Sequence, residues 1–397
     1  MTRPPLRLVC ALPLVPAAFL GCSDPSDAPD AATPSGCPAL VDRLRVPEAP
    51  ASRVIALGSN FTAGSALRIG LADGATEPLD LGVTADTVGR TLGDALALLH
   101  RSPGQGDNVT LFDLRANPPG FVCQLALFTD SERRAGLQPY ANAHDVLALD
   151  GRTLLVARYA MTSLAVIDLA TGRVSRTVDL MPHVGLSALP HPEALLRVGS
   201  EVWVSLQRLD RYPLTTQPGL IVRLDPEARA VVGTITLRHG NPVGPMQRAP
   251  DGRVLVTTVG DYDRIGDGGL EAVHPATGTV NLLYDELSLG ANLDGVGVFA
   301  DGSLTLKLAA ARTGAREAAV RMVHLRAGGA MTTLVTRDLW SPAPPRVVGD
   351  VVVFGDPGTG AGMTGAGVRR FGLDAMERGT AIPVGPAMRP YDLVPVP

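Results

Sequence analysis

The segment Leu164-Ala-Val-Ile-Asp168 is a short apolar run that ends just before a tight turn at Gly172, and similar runs recur along the chain. The equivalent segments begin at Leu67, Val109, Ile221, Leu270, Val320 and Val368. If Gly70, Asp113, Asp168, Asp225, His274, His324 and Asp374 are aligned, the intervals are 43, 55, 57, 49, 50 and 50 residues. A period of this length is typical of a propeller or a solenoid, in which each repeat is one supersecondary unit.

A second set of turn signals divides each repeat into hairpins. These dipeptides are Gly93-Asp94, Asp150-Gly151, Gly199-Ser200, Asp251-Gly252, Asp301-Gly302 and Gly349-Asp350. Each is followed at once by a run rich in β-formers, which is the pattern of a β-hairpin. We therefore expect units of four antiparallel strands, a to d, in which short turns join a to b and c to d.

The two ends of the chain complement each other. Seven c–d turns but only six a–b turns are present, because the first unit begins directly at strand b, Arg53 to Gly58. The chain ends with a spare strand a, Pro390 to Val396. Pairing of the two ends within one blade would remove open sheet edges. The sequence therefore predicts an all-β fold, a seven-bladed β-propeller over residues 52–397 that is closed by its N- and C-terminal strands.

The repeat resembles that of the YVTN-type seven-bladed β-propellers of bacterial exported proteins. The resemblance is closest in Leu149-Asp-Gly-Arg-Thr-Leu-Leu-Val-Ala157 and Ser163-Leu-Ala-Val-Ile-Asp-Leu-Ala-Thr-Gly-Arg-Val174, and partial in His274 to Gly278 and Ala300 to Leu304. This family has no shared catalytic motif. The resemblance implies a fold and a binding or scaffolding role.

The N-terminus has the pattern of an export signal. Arg3 and Arg7 precede an apolar run, Leu8 to Leu20, that is too short to span a bilayer comfortably. The run ends in Gly21-Cys22, which resembles a bacterial lipobox, so we expect a signal peptide over residues 1–21 and lipidation at Cys22. The alternative is an ordinary secretory signal. Residues 22–51 are predicted to be a flexible tether, and an outer-membrane anchor is favoured over an inner-membrane one.

The remaining cysteines form an even pair. Cys10 leaves with the signal peptide and Cys22 would carry lipid, so Cys37 and Cys123 are left in an oxidising compartment. We expect a Cys37–Cys123 disulfide that joins the tether to the body. Two unpaired buried thiols are the alternative.

Composition excludes some partners. The 397 residues carry a formal net charge of −4, and only 2 Trp, 6 Tyr and 8 Phe are present. This is not the basic, aromatic surface that nucleic-acid binding requires. No nucleophile elbow, Walker loop or dinucleotide fingerprint occurs. We therefore expect a monomeric, non-catalytic module without a cofactor that binds a protein, peptide or glycan.

Recognition should lie on the face formed by the long b–c and d–a connections, called here the loop-rich face, because variable loops on a rigid scaffold commonly carry binding sites. The opposite face, formed by the a–b and c–d turns, is called the turn face. The binding candidates are Asn142, His144, Asp145, His191, Glu193, Tyr212, His239, Asn241, Asn292, Asp294, Trp340 and Asp392.

A metal-dependent hydrolase is the alternative function. His144, His191 and His239 start adjacent blades and could bind Zn together. Glu193, Asn241, Asn292 and Asp294 are residue types that a Ca-dependent lactonase of the gluconolactonase type would use. Asp261 and Asp263 also match two positions of a Ca-binding loop, although Ala272 stands where the bidentate Glu should be. An irregular b–c loop or polar residues lining a wet channel would explain the same patterns.

Overall fold

The computed structural model describes residues 36–44, 50–102, 106–134, 140–210, 215–227, 229–311, 319–339, 343–360 and 362–397. The predicted signal peptide, Cys22, Tyr212 and Trp340 lie outside these ranges. The body that begins at Pro34 is one compact unit built from β-sheets. No helix among the described residues is long and apolar enough to cross a membrane.

The described strands form seven antiparallel sheets around a central channel, as predicted. Blade 1 contains β1 (Arg53–Ser59), β2 (Gly64–Gly70) and β3 (Thr76–Leu79), and blade 2 contains β4 (Thr87–Leu92), β5 (Ala95–Ser102), β6 (Gly106–Asp113) and β7 (Gly120–Ala126). Blade 3 contains β8 (Ala143–Ala148), β9 (Thr153–Arg158), β10 (Ser163–Asp168) and β11 (Arg173–Asp179). Blade 4 contains β12 (Pro192–Val198), β13 (Glu201–Leu206), β14 (Leu220–Asp225) and β15 (Ala230–Thr236).

The remaining blades follow the same order. Blade 5 contains β16 (Pro242–Arg248), β17 (Val254–Thr258), β18 (Gly269–Val273) and β19 (Val280–Asp285), and blade 6 contains β20 (Asn292–Val298), β21 (Leu304–Ala309), β22 (Val320–Leu325) and β23 (Met331–Arg337). Blade 7 contains β24 (Arg346–Val348), β25 (Val351–Asp356) and β26 (Gly367–Gly372). The last strand, β27 (Arg389–Val396), returns to blade 1. Short helices lie at Pro38–Leu40, Asp130–Arg134, Met181–His183 and Glu286–Leu289.

Closure of the ring is confirmed. Strand β27 pairs antiparallel with β1, from Arg53 opposite Val396 to Ser59 opposite Arg389. The C-terminal strand is therefore strand a of blade 1, and the first residues of the body supply strand b. This pairing gives β1 a partner strand on each side and makes β27 the innermost strand of the sheet.

The core is divided among the spaces between blades. Seven clusters of buried apolar residues occur among the described residues, one between each pair of neighbouring sheets. Strand β1 shows the reason: Ile55 and Leu57 pack toward blade 2, whereas Val54 and Ala56 pack toward blade 7. Strands buried on both faces read as continuous apolar runs, which is why the repeat is visible in the sequence.

Blade 7 departs from the four-strand pattern. It has three strands, and its outer position is occupied only by isolated bridges that pair Val368 with Ile382 and Phe371 with Glu377. A turn glycine is missing at Arg378 in this blade. Blade 4 also lacks a turn glycine, at Arg229, but there the arginine itself adopts a positive φ of 51° and the fourth strand forms.

Part of the predicted tether belongs to the folded body. Residues 36–44 cross the turn face over blades 2 and 3, where Cys37 donates its N–H to the Leu169 carbonyl at 2.6 Å and Arg43 pairs with Asp113 at 2.8 Å. Leu40 and Leu44 are buried. The predicted Cys37–Cys123 disulfide is present and joins this segment to β7. Leu40, Leu44 and the disulfide-bonded Cys37 supply the apolar burial that holds this segment on the body.

Removal of the disulfide should destabilise the whole body. The bond closes a loop with a sequence separation of 86 residues, and a crosslink over a loop of that size contributes about 4 kcal/mol in the chain-entropy model. We expect the double variant Cys37→Ser, Cys123→Ser to unfold at lower urea concentration than the oxidised protein. A reducing agent should bring the unmodified protein to the variant's midpoint and leave the variant unchanged. Equal midpoints for variant and oxidised protein would contradict this role.

Candidate binding site at the channel mouth

Bulges in the innermost strands turn side chains into the channel. In β8, Ala143 pairs with Arg158 and Asp145 with Ala157, so His144 is the extra residue. The same irregularity makes Glu193, Asp294 and Tyr391 the extra residues of β12, β20 and β27. A bulge bends its strand and re-aims a side chain, and bulges are frequent next to functional sites. All four bulged residues line one cavity at the loop-rich end of the channel.

This cavity, called here the upper cavity, has a volume of about 290 Å³. Eleven of the side chains that line it can form hydrogen bonds. They are Arg90, Arg101, His144, Tyr159, Glu193, Gln207, Asn241, Tyr262, Asp294, Arg346 and Tyr391. The arrangement suits a ligand group that makes several hydrogen bonds, with tyrosine rings available for packing.

His144 and Glu193 form a short hydrogen bond in the upper cavity. His144 Nδ1 lies 2.6 Å from Glu193 Oε2, and Glu193 Oε1 accepts the N–H of Gly244 at 3.0 Å. Burial lowers the pKa of His144 despite the attraction of Glu193. Burial alone would raise the pKa of Glu193, but His144 and the Gly244 N–H hold it below its usual range. At neutral pH a neutral imidazole therefore donates to an ionised carboxylate, and Nε2 remains able to accept a hydrogen bond or a proton.

Aromatic contacts fix the orientation of His144. Its ring stacks on Tyr159 with centroids 3.9 Å apart, and the Tyr159 hydroxyl donates to Gln207 Oε1 at 2.6 Å. The Tyr159 ring also contacts His191, with ring centroids 4.9 Å apart. Tyr159 thus supports the imidazole directly, and Gln207 and His191 contact Tyr159.

A second polar group lies on the blade 1 side of the upper cavity. Arg101 donates to Asp86 at 2.8 Å and to the Tyr391 hydroxyl at 2.9 Å, and that hydroxyl donates to Asp86 at 2.7 Å. Burial raises the pKa of Tyr391 despite the nearby Arg101 guanidinium. The phenol therefore stays protonated at neutral pH and donates its one proton to Asp86.

Two arginines form the floor of the upper cavity. Arg90 Nε donates to Asp145 at 2.5 Å, and Arg346 Nη2 donates to Asp392 at 3.1 Å. Arg90 also lies 3.3 Å from Asp392. Burial would raise the pKa of Asp392, but Arg346 and Arg90 hold it below its usual range. The floor is therefore an ionised network of two cations and two anions.

The acids of this network also connect neighbouring blades. Asp392 accepts the N–H of Gly89 at 2.9 Å and Asp145 accepts the N–H of Leu195 at 2.7 Å. Each bond runs from the innermost strand of one blade to the innermost strand of the next. Asp145 and Asp392, which the sequence predicted as binding residues, thus connect neighbouring blades. Glu193 makes the same kind of bond, to the Gly244 N–H, and also lines the upper cavity.

The other predicted residues are distributed unevenly. Asn241 and Asp294 line the upper cavity, and Asp294 pairs with the buried Lys307 at 2.8 Å. Asn292 is fully buried and donates to the Tyr262 carbonyl at 3.0 Å. Asn142 precedes β8 with a positive φ of 47°.

The three predicted metal-binding histidines do not come together. His144 and His191 both pack against Tyr159, whereas His239 Nδ1 lies 3.0 Å from Glu271. Within the described ranges, no group of three or more His, Cys, Asp and Glu residues is placed to hold a metal ion.

The acidic loop after β17 is held by an arginine. Arg264 Nε lies 2.7 Å from Asp267 and 3.9 Å from Asp261. Asp261 also accepts the N–H of Asp263 at 3.0 Å. The acidic side chains of this loop thus have partners within the loop itself.

Sequence reasoning missed several residues of the upper cavity, namely Arg90, Arg101, Tyr159, Gln207, Tyr262, Arg346 and Tyr391. Tyr159 and Gln207 directly follow strand b of adjacent blades. A polar residue at that position could have been found from the repeat alignment. Arg90 and Arg346 sit within innermost strands, and no pattern in the sequence distinguishes them from surface arginines.

Comparison with known proteins shows the fold alone. No family model and no curated protein matches this sequence. The periplasmic gluconolactonase of Pseudomonas aeruginosa is similar in structure, with TM-score 0.55, 15% identity and coverage of 86% of this chain and 98% of that one. A hypothetical selenium-binding protein from Sulfolobus tokodaii gives TM-score 0.53, 10% identity and coverage of 88% and 94%. Virginiamycin B lyase from Staphylococcus aureus gives TM-score 0.50 and 13% identity, with coverage of 73% of this chain and 84% of that one.

Acid should destabilise the protein through His191. Burial, with a smaller contribution from His144, lowers the pKa of His191 from 6.5 to about 4. The unfolded chain therefore binds more protons between these pH values, and stability is lost as pH falls from 6.5 to 4. His191→Gln removes this titration. Between pH 7 and pH 4 the free energy of unfolding of the variant should therefore fall by on the order of 2–3 kcal/mol less than that of the unmodified protein.

The measurement is urea unfolding at a series of pH values. His274→Gln is the matched control, because His274 is exposed, and its curve should follow that of the unmodified protein. If the His191→Gln curve also ran parallel to the unmodified protein, the low pKa of His191 would be wrong.

Proposed function

We propose that this protein is a non-catalytic binding module of the cell envelope that binds a protein or peptide through its loop-rich face. The observation that carries the proposal is the distribution of exposed apolar side chains. Among the described residues, nine large apolar side chains are exposed. Five of them lie on b–c or d–a loops, namely Phe61, Met181, Leu186, Ile265 and Leu287, and this set is called here the apolar rim.

The apolar rim favours a polypeptide partner. Leu186 and Leu287 are 74% and 66% exposed although both belong to large apolar residue types. Exposed apolar residues that adjoin one another mark interaction sites, and all five residues of the apolar rim lie on connections of the same face. Protein interfaces combine apolar anchors with polar groups. We therefore favour a protein or peptide over a glycan.

The upper cavity gives this surface a polar centre. The donor Arg101 and the ionised Glu193 both line this cavity, so one inserted group could contact the two. A polar side chain or a chain terminus of the partner could fill about 290 Å³ while its apolar residues cover the rim. Polar groups that are well placed within an interface set orientation and specificity.

Site-specific crosslinking tests the binding face. A photoreactive residue at Leu186 or Leu287 should give one and the same adduct in cells. Val232 and Met331 are matched controls, because they are similarly large, are 54% and 47% exposed and lie on outer strands; they should give none. Leu186→Asp with Leu287→Asp should weaken binding of the identified partner at least tenfold, because an anchor side chain at an interface contributes about 2 kcal/mol or more.

Two results would contradict the proposal. One is an adduct that forms equally at the control positions. The other is stoichiometric Ca or Zn in protein purified without added metal, together with hydrolysis of a lactone, which would favour the metal-dependent hydrolase instead.

We further propose that the module is exported and held by lipid at Cys22, with the outer membrane favoured. The disulfide supports an oxidising compartment. The ordered body begins on the turn face, so a tether that leaves from this side would keep the loop-rich face accessible.

Membrane fractionation tests the anchor. Cys22→Ala should move the protein from the membrane fraction to the soluble fraction, because lipidation would be lost. Cys22→Ala that stays with membranes would refute lipid anchoring, and separation of the two membranes would locate the unmodified protein.

A further inference from the structure

We propose that the channel contains a second ligand site, at its turn-face end, which binds an aliphatic carboxylate such as a fatty-acid anion. The site is a cavity of about 500 Å³, called here the lower cavity. This volume lies in the ~300–1,000 Å³ range of small-molecule sites. The proposal is independent of the function assigned to the loop-rich face.

The walls of the lower cavity are apolar. The innermost strands of five blades contribute Leu92, Val146, Leu195, Val347 and Leu393. Apolar walls with few polar groups suit an alkyl chain, because burial of each methylene group contributes about 0.8 kcal/mol. A sugar or nucleotide would leave its polar groups unpaired against these walls.

The upper end of the lower cavity is closed by the ionised floor described above. Arg90 and Arg346 line both cavities and therefore separate them. Their charges are matched by Asp145 and Asp392. This end thus carries no net charge that would hold a ligand anion.

An arginine that has no carboxylate partner in the described part of the chain, Arg197, lies near the turn-face end of the lower cavity. Arg197 lines the lower cavity and forms no ion pair among the described residues. It uses Nη2 to donate to the Ala148 and Leu149 carbonyls at 3.2 and 2.6 Å. Its remaining guanidinium N–H groups are available, and Gln247 of the next blade lines the same cavity. Guanidinium pairs well with carboxylate through parallel hydrogen bonds, so the proposed ligand places its carboxylate at Arg197 and Gln247.

The disulfide-held segment forms part of this site. Leu44, at the end of residues 36–44, lines the lower cavity and is 4% exposed. The lower cavity is thus bounded by apolar side chains of the strands, by the floor of paired arginines and aspartates, and by a segment that the Cys37–Cys123 bond holds in place. An alkyl chain enclosed in this way would be removed from water.

Calorimetry with decanoate tests the proposal. The probe would be titrated below its micelle concentration into full-length protein carrying Cys22→Ala, so that no detergent is needed. We expect saturable binding at one site, and at least tenfold weaker binding of decanol, which has the same chain without the charge. Arg197→Gln should lower decanoate affinity at least tenfold and leave decanol affinity within twofold. Arg197→Lys should retain most of the affinity for decanoate.

Two further variants locate the site. Ala148→Phe should abolish binding of both probes, because Ala148 lines the lower cavity and a phenyl ring would occupy the space of the chain. Arg253→Gln is the matched control: it removes the same charge from the same face outside the cavity, so affinity should not change. The proposal is overturned if decanoate does not bind, if decanol binds as tightly, or if Arg253→Gln weakens binding as much as Arg197→Gln.

Discussion

The pairing of β27 with β1 is the constraint on which the rest of the structure depends. It completes the sheet of blade 1, and so it decides whether seven sheets form a ring or an open array. It also builds the site, because β27 carries Tyr391 and Asp392 into the channel. Tyr391 meets Arg101 across 290 residues of sequence, and Asp392 meets Arg90 across 302. Loss of this pairing would therefore remove the central network together with the closed fold.

The ionic network joins the innermost strands at the centre of the ring. Two arginines and two aspartates in the channel are costly to desolvate, and a buried pair stabilises only when its hydrogen bonds are satisfied. Here the carboxylates meet that condition by accepting backbone N–H groups of the next blade, as Asp392 does from Gly89 and Asp145 from Leu195. Each acid therefore fixes the distance between two innermost strands. The same bonds occupy lone pairs that these acids could otherwise offer to a ligand. Glu193 and Asp294 differ from them because they line the upper cavity.

The sequence predicted the fold far better than the site, and the reason is physical. Strands buried on both faces give apolar runs, and tight turns require particular residues, so both features repeat visibly. The Cys37–Cys123 bond followed from counting cysteines, and closure followed from the spare strand at Pro390 to Val396. The bulges that turn His144 and Glu193 inward leave no comparable pattern, since a bulge is one extra residue in a strand. The contribution of Arg101 depends on contacts with residues distant in sequence, which a single sequence does not reveal.

The two ends of the channel differ in chemistry because different parts of the repeat reach them. Bulged residues and b–c loops meet at the loop-rich end, where polar side chains such as Tyr159 and Gln207 can face a cavity without breaking the sheets. Regular pairing resumes below the bulges, and there the strands present Val146, Leu195 and Leu393 to the channel. The ionic floor lies at the transition, where Arg90 and Arg346 contact both cavities. A ligand that crossed it would have to separate buried ion pairs, and breaking such a pair costs roughly 3–5 kcal/mol. The two cavities should therefore bind independently, each through its own face of the ring.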